Sequence, residues 1–62
     1  MKILLWKVRN EKGLSLRELS ELSGVSKTEI ADIEGGDRIP RTNTLCALAK
    51  ALNVKLDDMV EY

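Results

Sequence analysis

The sequence predicts an all-α protein in which five short helices surround one aliphatic core. Apolar residues recur every three or four positions, and no segment alternates with the period of two that a half-buried strand shows. Two helix-start signals, each a serine followed three residues later by a glutamate, occur close together in the first half of the chain. Glycines or an asparagine follow the predicted helices and favour their termination.

The first predicted helix covers residues 2–11. Leu5 and Val8, three positions apart, form its inward face. Gly13 follows as a left-handed cap that ends the helix. No strand is expected before this helix or elsewhere in the chain.

The second and third helices, over residues 16–23 and 27–34, are predicted to form a helix-turn-helix. The tight turn Ser23-Gly24-Val25 joins them. In such a motif the second helix of the pair can enter the major groove of DNA. The residues expected to face the core are Leu16, Leu19 and Leu22 on one helix and Ile30 and Ile33 on the other.

The helix-start signals are capping boxes, Ser15 with Glu18 and Ser26 with Glu29. In a capping box the serine hydroxyl and the glutamate carboxylate each accept a hydrogen bond from an unpaired backbone N–H. Gly35-Gly36 then gives the strongest stop signal in the chain.

A fourth helix is predicted over residues 42–52, introduced by Pro40 and ended by Asn53 as a left-handed cap. A short fifth helix is predicted near residues 56–60, with acidic residues in its first turn that suit its dipole. The apolar stripe of the fourth helix consists of Leu45, Leu48, Ala49 and Leu52.

Length and composition restrict the function. The 62 residues suit one domain, residues 1–62. With no histidine and only Cys46, neither a metal-ligand cluster nor an internal disulfide is expected, and we interpret Cys46 as a small buried hydrophobe. No catalytic constellation occurs, so we expect neither an enzyme nor a cofactor.

Charge and hydropathy indicate a soluble, cytoplasmic protein. The apolar run at residues 3–6 is shorter than a signal core of about 7–15 residues or a membrane span of about 20. Ten basic and ten acidic residues leave no net charge, which argues against strong non-specific affinity for DNA. Cations concentrate in residues 1–17 and acids in residues 53–62, so one end suits phosphate better than the other.

From about Leu5 to Val60, the chain resembles the phage-repressor and Cro-like helix-turn-helix family of DNA-binding domains. The segments that carry the resemblance are E-K-G-L-S-L-R-E-L-S, G-V-S-K-T-E-I-A-D-I-E-G-G and I-P-R-T-N-T-L-C-A-L-A-K-A-L-N-V-K-L-D-D-M. The resemblance implies a compact lambda-repressor-like fold. It also implies a transcriptional regulator whose partner is double-stranded DNA, bound as a homodimer on a two-fold symmetric operator.

The resemblance also implies site residues. It maps the base-reading positions of the third helix onto Lys27, Thr28, Ala31 and Asp32. Arg9 and Glu34 match a pair that forms a salt bridge in some members and ties the first helix to the third. Cations near helix starts are expected to bind DNA phosphate, together with one amide: Arg17, Arg38, Arg41 and Asn43.

Several positions depart from the family pattern. Leu16 stands where the family usually has a phosphate-binding glutamine, and Gly35 where a basic residue or asparagine is common. We interpret Glu29 as completing its capping box rather than as an acceptor for cytosine N4. Asp32 has no capping role, and the alternatives of reading cytosine and of simple solvation both stay open.

Ile3 and Trp6 exceed what the core of the first helix needs. Trp6 either packs on the C-terminal segment, or it forms with Ile3 and Tyr62 an exposed interface for a second copy or another protein. The second alternative supports a competing hypothesis, a protein-interaction module with weak or lost DNA binding. A third hypothesis is an antitoxin, which would bind both DNA and a protein.

Overall fold

The computed structural model describes residues 2–61. Four α-helices form its body, and a 3-10 helix and two short strands complete it. The expectation of five α-helices is therefore wrong, although the helix-turn-helix is present. In chain order the elements are β1 (Lys2–Ile3), α1 (Leu5–Glu11), α2 (Leu16–Ser23), α3 (Lys27–Glu34), α4 (Thr42–Leu52), the 3-10 helix (Leu56–Met59) and β2 (Val60–Glu61).

A small antiparallel sheet joins the two ends of the described chain. Lys2 lies opposite Glu61 and Ile3 opposite Val60. The backbone N–H of Leu4 donates to the carbonyl of Met59 at 2.8 Å, so α1 begins only at Leu5. Both the prediction of no strands and that of a helix starting at residue 2 are wrong, because the pairing joins distant segments whose local periodicity carries no sign of it.

The bounds of α2, α3 and α4 agree with those predicted. Four of their six ends have a local cause, a serine cap or a left-handed residue. Gly24 after α2 and Asn53 after α4 adopt left-handed conformations, with φ of 76° and 59°. The Ser15 hydroxyl accepts from the N–H of Glu18, and the Ser26 hydroxyl from the N–H of Glu29. These caps fix how α2 and α3 meet across the turn.

One apolar core lies between the helices, and α2 packs against both α3 and α4. Two predicted core residues lie outside it: Leu22 is 62% exposed and Cys46 is exposed. Cys46 follows the buried Leu45 and therefore lies about 100° around the axis of α4, and Leu22 lies three residues beyond the buried Leu19, about 60° around the axis of α2. The buried hydrophobic residues are Leu5, Val8, Leu19, Ile30, Ile33, Leu45, Leu48, Ala49, Leu52 and Met59.

Candidate nucleic-acid interface

The candidate reading face lies on α3, held in place by Ile30 and Ile33, which are buried in the core. Because these two residues fix the inward side of α3, the opposite side faces solvent. Thr28 and Ala31 are exposed on that side, and Lys27 is exposed at the first position of the helix. Asp32 is half-buried. All four proposed base-reading residues thus lie on one short helix, but only three of them are fully accessible.

The two predicted capping boxes differ. At α2 both hydrogen bonds form: the Ser15 N–H donates to Glu18 Oε1 at 2.9 Å, and the Glu18 N–H donates to Ser15 Oγ at 3.0 Å. At α3 the Glu29 N–H donates to Ser26 Oγ at 3.1 Å, but the reciprocal bond to the Glu29 carboxylate is absent from the described residues. The interpretation of Glu29 as completing a capping box is therefore wrong.

Glu29 instead lines a polar cleft between α3 and the start of α4. The cleft brings together three of the four residues expected to bind phosphate, Arg38, Arg41 and Asn43. Arg41 occupies the N-cap position of α4 without a side-chain capping bond. The Asn43 Oδ1 atom accepts a hydrogen bond from the Thr44 N–H at 2.9 Å. A cation therefore stands at a helix start whose N–H groups favour an anion.

Arg17 lies outside this cleft, in the first turn of α2. Its side chain is 83% exposed, and its Nε lies 3.7 Å from Oε1 of Glu21, one turn further along the helix. A pair this exposed contributes about 0–1 kcal/mol to stability, so it leaves Arg17 available to a phosphate.

Arg9 and Glu34 form a close ion pair between α1 and α3. The Arg9 Nε donates to Glu34 Oε2 at 2.6 Å, and a second guanidinium nitrogen donates to Oε1 at 3.0 Å. A third donates to the Leu14 carbonyl in the α1–α2 loop at 2.9 Å. Hydrogen bonding to Glu34 raises the pKa of Arg9, although burial opposes the rise. The pair anchors the C-terminal end of α3, with side chains only 12% and 9% exposed.

The three residues named as an interface have different surroundings. Trp6 is 61% exposed, whereas Ile3 is half-buried and packs against the core. Ile3 belongs to β1 rather than to a helix, so the expectation that a helical step places it beside Trp6 does not apply. Both still line one groove beside Lys2 and Lys7. Tyr62 lies outside the described residues.

Four residues of the cleft were not predicted to contact DNA: Glu29, Ile39, Pro40 and Thr44. Ile39 is 84% exposed and lines the cleft beside the arginines, and Glu29 was assigned to capping. The Ile39-Pro40 pair carried a usable signal, because a residue before proline is held in an extended conformation and cannot fold back into a helix. No comparable signal exists for Glu29, since a capping box and an open carboxylate have the same sequence.

Two further properties concern only the part of the chain that the structure describes. Within residues 2–61, no group of three or more Cys, Asp or Glu side chains is arranged to hold a metal ion. Across the same residues, no helix has the length and hydropathy needed to cross a bilayer.

The chain is similar to proteins that carry control functions. It is 39% identical over 49 residues to the ImmF control region 10 kDa protein of Bacillus phage phi105, covering 79% of this chain and 54% of that protein. It is 38% identical over 52 residues to the control protein C.SmaI of Serratia marcescens, covering 84% of this chain and 62% of that protein. The chain therefore spans less than two thirds of the length of either relative.

A solved structure and a family profile agree with these relatives. The restriction-modification controller protein C.AhdI from Aeromonas hydrophila superposes with a TM-score of 0.87 at 30% identity, covering 90% of this chain and 85% of that one. The profile described as Helix-turn-helix matches residues 7–59. Because that match covers most of the chain, including α2, α3 and α4, the chain belongs to the Cro-like helix-turn-helix family.

Proposed function

We propose that this protein is a sequence-specific regulator that binds a two-fold symmetric operator as a homodimer. One α3 helix from each protomer lies in the major groove. Lys27 and Thr28 contact base edges, Ala31 allows close approach, and Asp32 flanks the contact. The similarity to controller and phage control proteins supports this role.

The observation that carries the proposal is the arrangement around α3. Its start exposes Lys27 and Thr28, and its end is held by the Arg9–Glu34 pair. Reading helices contact base edges mainly through their N-terminal residues, so the exposed end is the one that recognition requires. The anchored end keeps α3 in a fixed orientation to the rest of the domain.

Phosphate contacts on both sides of α3 complete the proposed interface. Arg38, Arg41 and Asn43 hold the phosphate backbone at the start of α4, and Arg17 does so at the start of α2. Such contacts position a protein on DNA, while the base contacts specify the sequence. Three arginines per protomer should give moderate affinity for generic DNA, although the net charge of the chain is zero.

Selection from random duplexes at low salt tests the proposal. The expected result is an enriched sequence with two-fold symmetry. Fluorescence polarisation with that duplex should then separate the two classes of contact. Lys27→Ala should lower affinity and relax preference at one base pair, by about 1–3 kcal/mol. Arg41→Ala should weaken binding to all sequences alike and reduce the salt slope by about 1.

Lys50→Ala is the matched control, because Lys50 is an exposed cation in the last turn of α4, at the opposite end from Arg41. It removes the same charge, and at that distance screening should limit its effect to about twofold. Equal losses in all three variants would show a general charge effect and contradict the assigned interface. Failure to enrich any symmetric sequence would contradict the operator.

The exposure of Trp6 favours a second candidate, an interaction module that contacts another protein. The same binding experiment separates the two candidates. An interaction module predicts no measurable binding to generic or selected duplexes at low salt. Binding that depends on Lys27 and Arg41 eliminates it.

A further inference from the structure

The Glu29 carboxylate does not make the capping bond that its position in the sequence predicts. It makes no bond to the Ser26 N–H, whereas the equivalent carboxylate of Glu18 does bond Ser15. The bond that caps α3 uses the backbone N–H of Glu29 and would be made by any residue except proline. The local structure of α3 therefore does not require a carboxylate at this position.

Glu29 is nevertheless half-buried, in a cleft that also contains two arginines. It lines the same cleft as Arg38, Arg41 and Asn43, which are the proposed phosphate contacts. Within residues 2–61, no cation lies within 4.0 Å of it, since the ion pairs found there join Arg9 to Glu34 and Arg17 to Glu21. Glu29 therefore shares the cleft with Arg38 and Arg41 without forming an ion pair with either.

The position of Glu29 on α3 decides which part of DNA it meets. Successive residues of a helix are about 100° apart, which places Glu29 on the flank between Asp32 and the buried Ile33. This flank faces α4 rather than the exposed reading side that carries Lys27 and Thr28. In the proposed complex, the carboxylate therefore faces the phosphate backbone and not the base edges.

We propose that Glu29 is a counter-charge that limits how tightly the cleft holds a DNA phosphate, whatever the base sequence. This inference rests on the proposed function, because it concerns the same cleft. A phosphate that binds Arg38 and Arg41 also approaches the carboxylate, and the repulsion cancels part of the attraction. Generic and selected DNA are then both held less tightly, and both are released more readily.

Glu29→Gln tests this role while keeping the size of the side chain and the backbone capping bond. Asp57→Asn is the matched control, because Asp57 is exposed in the 3-10 helix and the change raises the net charge equally. Affinities are measured by polarisation over a salt series, with a generic duplex and with the selected duplex. A thermal melt of each variant confirms that it is folded.

Glu29→Gln is expected to tighten both duplexes by about three- to tenfold at low salt and to steepen the salt slope by up to about 0.9. The ratio between the two affinities should not change. Asp57→Asn should change either affinity by less than about twofold. In the Arg41→Ala background the effect of Glu29→Gln should shrink, because the two side chains act on the same phosphate.

Three results would overturn the inference. Glu29→Gln and Asp57→Asn could have equal effects, which would leave only net charge. Glu29→Gln could weaken the selected duplex alone, which would make the carboxylate a base reader. It could act equally with and without Arg41, which would place its effect outside the cleft. Failure of the wild-type protein to bind any duplex would be a different outcome, since it rejects the proposed function itself and this inference with it.

Discussion

At the scale of single residues, two ion pairs of the same chemical type have different expected energies. Arg9 and Glu34 are nearly enclosed and share two hydrogen bonds, whereas Arg17 and Glu21 are exposed and 3.7 Å apart. Removing one partner of an enclosed pair leaves an uncompensated charge with little access to water. Removing one partner of an exposed pair leaves a charge that water solvates.

Arg9→Ala is therefore expected to lower the free energy of unfolding by about 3–5 kcal/mol. It also deprives the Leu14 carbonyl of its donor. Arg17→Ala, the control, should cost only about 0–1 kcal/mol. Urea denaturation followed by circular dichroism measures both. If Arg9→Ala proves unfolded, Arg9→Lys keeps the charge but loses the two-pronged geometry and should give an intermediate loss. Equal losses at Arg9 and Arg17 would contradict the assigned burial.

The capping box of α2 predicts a contribution to acid sensitivity. Hydrogen bonds from the Ser15 N–H and hydroxyl lower the pKa of Glu18 below its ordinary value of 4.5. The resulting stabilisation is fully present above the unfolded-state pKa, and it is lost as the pH falls through the lower folded-state pKa. When the pH is lowered from neutral to about 3, the urea midpoint of Glu18→Gln should thus fall by less than the midpoint of the wild type. Equal falls in the urea midpoint of both proteins would show that the bonds from Ser15 do not favour the charged carboxylate over the protonated one.

At the scale of the elements, local signals account for the bounds that were predicted correctly. Residues 16–23, 27–34 and 42–52 begin or end at caps that need only neighbouring residues, such as Ser15 and Asn53. The pairing of β1 with β2 needs residues from opposite ends of the described chain and was missed. Local reasoning therefore succeeded where the cause is local and failed where a distant strand replaced the first turn of a helix.

Two glycines, Gly24 in the turn of the helix-turn-helix and Gly35 at the end of α3, allow a comparison of backbone conformations. Gly24 has φ of +76°, and an added Cβ would meet nothing within 4 Å, so the expected cost of Gly24→Ala is backbone strain alone, about 1–2 kcal/mol. Gly35 has an ordinary φ of −80°, and its added Cβ would lie 3.4 Å from the Ala31 carbonyl. Gly35→Ala should therefore be neutral or stabilise by about 0.4–1 kcal/mol. Thermal denaturation of both variants gives the comparison, and destabilisation by Gly35→Ala alone would contradict these conformations.

At the scale of the whole molecule, the sequence predicted the framework of the candidate site better than its electrostatics. The apolar period of α3 was enough to place Thr28 opposite the core, and Lys27 was correctly expected at the exposed start of the helix. The environment of Glu29 depends on which rotamer the side chain takes between α3 and α4, and periodicity does not report rotamers. The exposure of Trp6 depends on how the C-terminal segment returns to β1, which is again a long-range property.

The size of the domain limits how two copies can be arranged on an operator. The molecule is 27 Å along its longest axis, which is less than the roughly 34 Å between major-groove sites on the same side of B-DNA. One protomer can therefore cover one half-site, and two can lie side by side on successive turns. The proposed homodimer then predicts half-sites about 10 base pairs apart, centre to centre.

Changing that spacing gives the sharpest test of the dimer. Inserting about 5 base pairs between the half-sites turns them to opposite sides of the duplex, so two linked α3 helices cannot enter both grooves. Affinity should then fall toward that of a single half-site, a loss of about 100-fold or more, because the second contact no longer forms within the same complex. Inserting about 10 base pairs returns the two half-sites to the same side of the duplex but doubles the distance between them. The affinity of a rigid dimer should therefore stay low. Fluorescence polarisation gives the affinity for the unchanged duplex and for the two duplexes with insertions. Equal affinities for all three would show that the protein binds as independent monomers and would contradict the dimer.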